Sequence, residues 1–281
     1  EDADAIMVRS ASLHDVTFDK SVLAIARCGA GVNNIPVEKC TQEGIVVFNT
    51  PGANANGVKE LVFAAMLLAA RDVVGGINWA ASQVGNETVA KDTEKEKKKF
   101  AGYELSGKKL GVIGLGAIGR LVANTAIHLG MEVYGYDPFM SVEAAWQLSR
   151  EVLHAESLDQ IYANCDYISL HIPANEKTKG SINYELLSKM PKGGCLVNTA
   201  RKEVIDEAGM EQLLADRADL KYVTDIAPAN QEALEQFKPR FFATPKKQGA
   251  ETAEANMNAG LAAARQIVGF IQNGDVKFKV N

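Results

Sequence analysis

Residues 108–137 read KKLGVIGLGAIGRLVANTAIHLGMEVYGYD, and this stretch decides the fold. Lys109–Ile113 is a short apolar run that suits a buried parallel strand. Gly114, Gly116 and Gly119 follow at the G-x-G-x-x-G spacing. The first glycine allows a tight turn, the second lets a pyrophosphate approach the backbone, and the third lets helix and strand pack closely. A helix from about Arg120 to His128, with Ala117 and Ile118 at its entrance, would aim free N–H groups at the phosphates. A second strand, Met131–Tyr136, ends at Asp137. A carboxylate there accepts hydrogen bonds from ribose hydroxyls and repels a 2′-phosphate, and Pro138 follows with no arginine to offset that repulsion. The reading is a dinucleotide-binding βαβ unit that favours NAD over NADP.

The chain has 281 residues, enough for two α/β domains of ordinary size. Its formal charge is −5, from 30 Lys plus Arg against 35 Asp plus Glu. With no basic surplus to neutralise phosphates, nucleic acid is not expected as a partner. Cys28, Cys40, Cys165 and Cys195 form no C-x-x-C and read as free thiols of a reducing cytoplasm. No signal peptide is visible, and the longest apolar stretch, Leu61–Ala70, is too short to span a bilayer, so no membrane partner is expected.

Strand and helix signals alternate on both sides of the glycine loop. Ala5–Val8, Val22–Ala26 and Ile45–Phe48 read as strands, and helix formers dominate from Val58 to about Val73. Residues 75–107 are polar and contain KDTEKEKKK at 91–99; they read as a crossover and a possible subunit arm, in which Trp79, Val84 and Phe100 find little local apolar company. Tyr167–Ile172, Cys195–Asn198 and Tyr222–Asp225 read as buried strands, with helices at Leu186–Lys189 and Ala208–Ala215. A last helix runs from about Thr252 to Ile271 and ends at Asn273-Gly274, a C-cap. At about 30 Å it is long enough to leave the cofactor domain and return to the first one. The predicted fold class is α/β, two Rossmann-like doubly wound parallel-sheet domains. Residues 1–74 plus 254–281 form a discontinuous substrate domain, and 75–253 form the cofactor domain with the 75–107 arm. The abrupt start at Glu1 predicts that the substrate domain is N-terminally incomplete.

ARCGAGVNN at 26–34, NTPG at 49–52, GLGAIG at 114–119, CDYISLHIP at 165–173, LVNTARKEVIDE at 196–207 and TDIAP at 224–228 resemble the D-isomer-specific 2-hydroxyacid dehydrogenases along nearly the whole chain. Within that family, SINYELLSKMPKGGCLVNTARKEVIDE and ATPKKQGAETAEAN are similar to the short D-3-phosphoglycerate dehydrogenases without a C-terminal regulatory domain. The resemblance implies NAD as cofactor and a small 2-hydroxy or 2-keto acid as substrate. The implied pair is phosphorylated, 3-phosphoglycerate and 3-phosphohydroxypyruvate, the first step of serine synthesis. It also implies a homodimer and no metal. Arg201 matches the arginine that grips the substrate carboxylate, a task for which a planar guanidinium is suited. Asp225 matches the acid that holds the nicotinamide amide. His171, Pro173, Thr178, Thr199 and Ala200 complete the expected cofactor set. Arg9, Arg27, Gly29, Ala30, Ala53 and Asn54 form the expected substrate set, with Arg9 where phosphate-reading members carry an arginine.

The chain departs from the family at its proton-transfer pair. The expected His falls on Lys246 and the expected Glu on Asn230. A lysine donates readily as an ammonium, but accepting a proton needs a free amine, and its ordinary pKa of about 10.4 must be lowered by burial or by cationic neighbours. Lys247 and Arg201 could supply such repulsion. Two other readings stand beside this one: a dehydrogenase of an unphosphorylated hydroxy acid, and a catalytically dead NAD-binding or sensing protein.

Overall fold

The computed structural model describes residues 3–245 and 247–281. The chain divides into two compact units, Glu1–Val58 with Ala250–Asn281, and Lys59–Gly249. The helix Ala55–Ala70 carries the chain from one into the other.

The first unit is built on three parallel strands in the order β1 (Ala5–Val8), β2 (Ala24–Arg27), β3 (Val46–Asn49). Alternation along β2 sorts its faces. Ile25 joins Val8, Val22, Ile35 and Val47 on one side. Ala24 and Ala26 face the other way, and their small side chains leave room for the helix Ala253–Asn273, which seats Ala263 and Phe270 there. Phe270 meets Phe48 edge-on at 5.7 Å between ring centroids. Thr252 caps this helix by accepting from the Ala255 N–H, and Gly274 ends it in the left-handed conformation at φ 70°.

The second unit is a seven-stranded parallel sheet. In chain order its strands are β4 (Lys109–Ile113), β5 (Glu132–Tyr136), β6 (Leu153–His154), β7 (Tyr167–Leu170), β8 (Cys195–Asn198), β9 (Lys221–Thr224) and β10 (Phe241–Ala243). They lie in the order β10-β9-β8-β7-β4-β5-β6. The chain winds from β4 outward to β6, then returns to β7 and winds the other way. The reversal between β4 and β7 opens a crevice at their carboxyl ends, where open α/β sheets bind ligands. β7 and β8 are buried along their whole length, as strands covered on both faces must be.

Several boundaries move from their expected places. The helix after the glycine loop starts at Ala117 rather than Arg120, because Gly116 is its N-cap. β7 ends at Leu170. The two outermost strands, β6 and β10, have two and three residues, too few for a periodic signal. Residues 75–107 are largely helical, with helices Val73–Ser82 and Val89–Glu96 and a 3-10 turn at Lys97–Phe100. Asp72 caps the first by accepting from the Gly75 N–H at 2.9 Å. Trp79 and Phe100 do find local company, in each other, at 6.1 Å between ring centroids. Val84 does not, and is 89% exposed.

Gly111 shows how tightly the central strand is covered. A Cβ there would stand 2.4 Å from Cγ2 of Ile161 and 3.2 Å from Sγ of Cys165, at the helix Leu158–Asn164 and its end. Gly111→Val should therefore cost about 1–3 kcal/mol through overpacking, read as a lowered midpoint in chemical denaturation. An unchanged midpoint would mean that the helix yields freely.

Candidate cofactor and substrate sites

The carboxyl ends of β4 and β7 deliver the glycine loop and His171 to one place. Gly114 has φ +91°, and a Cβ on it would lie 2.6 Å from the carbonyl oxygen of His171. A Cβ on Gly119 would lie 1.8 Å from the carbonyl oxygen of Gly114. Gly116 differs, with nothing within 4 Å of its Cβ position, which leaves its backbone open to an approaching phosphate. The helix Ala117–His128 begins beside it with no acidic residue in its first turn to occupy the free N–H groups.

A cavity of about 440 Å³ lies along this crevice. Gly114, Gly116, Asp137, His171, Pro173 and Thr178 all line it. Asp137 has a structural duty as well as an expected ligand: Oδ2 accepts from the Leu115 N–H at 2.8 Å and Oδ1 from the Phe139 N–H at 2.9 Å. Each oxygen keeps acceptor capacity for a hydroxyl. Burial pushes the His171 imidazole down to about 3, so it is neutral at physiological pH. Its Nε2 lies 2.8 Å from Ser169 Oγ, while Nδ1 is buried without a partner among the described residues. The Thr178 hydroxyl is held within its own loop, donating to the Pro173 carbonyl at 2.6 Å. Tyr136, Pro138, Phe139, Leu158, Ile172 and Lys177 also line the cavity and were not anticipated. The side chains beside the strand-end acid were the one clue to them.

A dinucleotide fits this cradle: an open glycine, a free helix start, an acid at the second strand end and an orphaned imidazole nitrogen meet in one crevice.

Thr199 and Asp225 line a different, apolar cavity of about 230 Å³ with Leu61, Leu68 and Phe242. Asp225 is 4% exposed. Its Oδ1 accepts from Thr244 Oγ1 at 2.7 Å and the Gln248 N–H at 2.8 Å, and Oδ2 accepts from the Gly249 N–H at 3.0 Å. This carboxylate thus gathers Thr244, Gln248 and Gly249 around itself. Thr199 Oγ1 is buried without a partner among the described residues.

Asn198, fully buried at the end of β8, shapes the arginine loop. Its Oδ1 accepts from the Ala200 N–H at 3.0 Å and its Nδ2 donates to the Arg201 carbonyl at 3.0 Å. The Arg201 side chain is exposed, and its Nη1 donates to the Ala200 carbonyl at 3.1 Å. Lys247 Nζ donates to that same carbonyl at 2.9 Å, a long-range tie with no local sequence signal. Asn230 is anchored elsewhere: its Nδ2 donates to the Glu207 carbonyl at 3.0 Å and to Glu211 Oε2 at 3.1 Å. Its Oδ1 is buried without a partner among the described residues. Lys246 lies outside the described residues.

In the first unit, the expected substrate residues cluster at the carboxyl ends of the three strands. Thr50 N–H donates to the Gly29 carbonyl at 2.9 Å and Asn49 Nδ2 to the Ala30 carbonyl at 2.7 Å, which ties the loop after β3 to the loop after β2. Gly29 has φ +145°, and a Cβ on it would collide with Arg27 Nη1 at 1.3 Å, so only glycine lets the guanidinium fold over the turn. Ala53 and Asn54 sit in the turn that opens the helix Ala55–Ala70, where the Asn54 carbonyl accepts from the Val58 N–H at 3.2 Å. Arg9 pairs with Glu251. Among the cysteines Cys28 is partly exposed and the other three are buried, all as free thiols. Among the described residues no helix is long and apolar enough to cross a membrane.

Comparison with known proteins agrees with this geometry. Residues 63–246 match the model of the D-isomer specific 2-hydroxyacid dehydrogenase NAD-binding domain. The chain is 37% identical over 275 residues to D-3-phosphoglycerate dehydrogenase of Methanocaldococcus jannaschii, covering 95% of this chain and 49% of that protein. It thus spans about half the length of that relative. It is also 37% identical over 278 residues to hydroxypyruvate reductase of Thermotoga maritima, covering 95% of this chain and 84% of that protein. Among solved structures, NAD+-bound 3-phosphoglycerate dehydrogenase of Entamoeba histolytica matches with TM-score 0.75 and 41% identity, over 100% of this chain and 83% of that one. The glycine cradle, the strand order and these matches together place the chain in the D-isomer specific 2-hydroxyacid dehydrogenase family.

Proposed function

We propose that the protein is an oxidoreductase that moves a hydride between NAD and a D-2-hydroxy acid, with 3-phosphoglycerate and 3-phosphohydroxypyruvate as its pair. The observation that carries the reading is Arg201, whose guanidinium pairs with no carboxylate among the described residues at the carboxyl end of β8. We assign to it a two-pronged grip on the substrate carboxylate and polarisation of the oxygen on C2. NAD, when bound, supplies the hydride acceptor. Gly114, Gly116 and the start of the helix Ala117–His128 would hold its phosphates, Asp137 its ribose and Asp225 its carboxamide. The proton leaves the C2 hydroxyl for a lysine amine, assigned to Lys246, with Asn230 in place of the family's acid. In the reverse direction the ammonium returns that proton to the developing alkoxide. Phosphate selectivity is assigned to Arg9 with Arg27. The Thermotoga relative named hydroxypyruvate reductase favours an unphosphorylated acid as the second reading. Purified protein should oxidise NADH with phosphohydroxypyruvate at a higher kcat/KM than with hydroxypyruvate or glyoxylate; the opposite order selects the second reading. No turnover with any 2-keto acid would point to a sensing protein.

Asp137→Asn keeps an acceptor for one of the two N–H groups it serves, Leu115 or Phe139, and removes the charge. The ratio of kcat/KM for NAD over NADP should fall about tenfold, equivalent to about 1.4 kcal/mol of discrimination. Equal use of both cofactors by the unmutated protein sinks the assignment.

Lys246→Met should lose turnover by about 10²–10⁴-fold while NADH binding survives. Oxidation of the hydroxy acid should rise toward alkaline pH because it needs the neutral amine, while reduction holds at neutral pH because it needs the ammonium. If Lys247→Met abolishes turnover and Lys246→Met does not, the proton carrier is the neighbour that already reaches Ala200.

The protein is further proposed to be a cytoplasmic homodimer of the serine pathway, with the second unit and its helical arm forming the contact. Val73, Ile77 and Val84 on that arm are exposed. Light scattering at micromolar concentration should return twice the chain mass; a monomeric mass overturns this.

A further inference from the structure

In the first unit, two guanidiniums lie near one another and one of them, Arg9, is paired with a carboxylate. Val8 pairs with Arg27 in the β1–β2 register, and the Cys28 N–H donates to the Val8 carbonyl at 2.8 Å. Arg9 and Arg27 therefore leave neighbouring parallel strands at the same end. Arg27 is folded back, its Nη1 donating to the Cys28 carbonyl at 3.1 Å and its Nε buried without a partner among the described residues. Burial, and then the charge of Arg9, push the Arg27 guanidinium below its ordinary pKa. Glu251, just before the helix Ala253–Asn273, places both carboxylate oxygens 3.3 Å from Arg9 Nη2. The three side chains together carry a net positive charge.

We propose that Glu251 is a displaceable counter-ion that moderates the affinity of Arg9 for a phosphorylated 2-hydroxy acid, an inference that rests on the substrate reading above. The Glu251 carboxylate stands where a phosphoryl oxygen would meet Arg9. The pair holds weakly, because the side chains are 37% and 63% exposed and water screens them. A dianionic phosphoryl group supplies enough charge to satisfy both guanidiniums and to push Glu251 away by like-charge repulsion. A 2-keto acid without that group brings no second anion to Arg9 and leaves the pair closed. Glu251 thus taxes only the phosphorylated ligand, and keeps Arg9 extended in the meantime.

Glu251→Gln keeps the shape and removes the competing charge. The KM for phosphohydroxypyruvate should fall about two- to fivefold at low ionic strength, the range expected for releasing an exposed pair. KM for hydroxypyruvate and kcat for both should stay put, and about 0.5 M salt should erase the difference. An unchanged or raised KM for phosphohydroxypyruvate, or an equal change for both substrates, overturns the role. Arg9→Gln tests the underlying reading separately. If it leaves discrimination between the two substrates intact, the substrate assignment itself fails. If it abolishes discrimination while Glu251→Gln does nothing, only the counter-ion role fails. Calorimetric binding of phosphohydroxypyruvate to the NADH-loaded protein gives the same comparison without turnover.

Discussion

The close approach of Gly119 to the Gly114 carbonyl governs the cofactor unit. A single methyl group there would lie 1.8 Å from that oxygen. Without the approach, the helix Ala117–His128 could not start directly over the end of β4, and its free N–H groups would not face the crevice. The same constraint fixes the partner strand. Gly114 is pressed against the His171 carbonyl, so the loop after β7 must lie against the loop after β4. Burial then removes the charge of His171, and a neutral ring rather than a cation lies beneath the glycine turn. A cationic ring there would compete for phosphate with the backbone donors; a neutral one leaves them in charge.

Buried polar side chains do comparable work at the other strand ends. Asn198 and Asp225 sit at or just after the carboxyl ends of β8 and β9, and both spend their side-chain atoms on the backbone of the loops that follow or cross them. Each would be costly to bury unpaired, and each is paired mainly to loop backbone, with the Thr244 hydroxyl adding one side-chain bond to Asp225. The cost of burial is thereby converted into loop geometry. Arg201 inherits its position from Asn198, and Thr244, Gln248 and Gly249 are held by Asp225.

This division explains what the sequence disclosed. The strands Lys109–Ile113 and Cys195–Asn198 were legible to the residue, because continuous apolar runs between glycines have few other uses. The glycine spacing and Asp137 were legible for the same reason. The short edge strands were not, since Leu153–His154 is too brief for any period. The helices of the 75–107 segment were hidden by charge and by Gly75-Gly76, and rest on the Asp72 cap and the Trp79–Phe100 pair. The long-range polar ties were invisible in principle. Arg9 meets Glu251 across 242 positions, and Lys247 meets Ala200 across 47. No local pattern encodes such a pairing; only the fold does.

Under the proposed function, the two units would answer negative charge by different means. In the cofactor unit, the donors are backbone N–H groups and a helix start, fixed before any ligand arrives. Such donors cost little to organise and carry no net charge to repel one another. In the first unit, the proposed donors are two arginine side chains that leave neighbouring parallel strands at the same end. Burial first, and the charge of Arg9 second, push the Arg27 guanidinium below its ordinary pKa, and Glu251 pairs with Arg9. A backbone cradle suits a ligand held in every turnover, since it is always ready. Under the proposed substrate reading, a pair of cations suits a ligand distinguished by its charge, since a ligand without a second anion has nothing to offer Arg9.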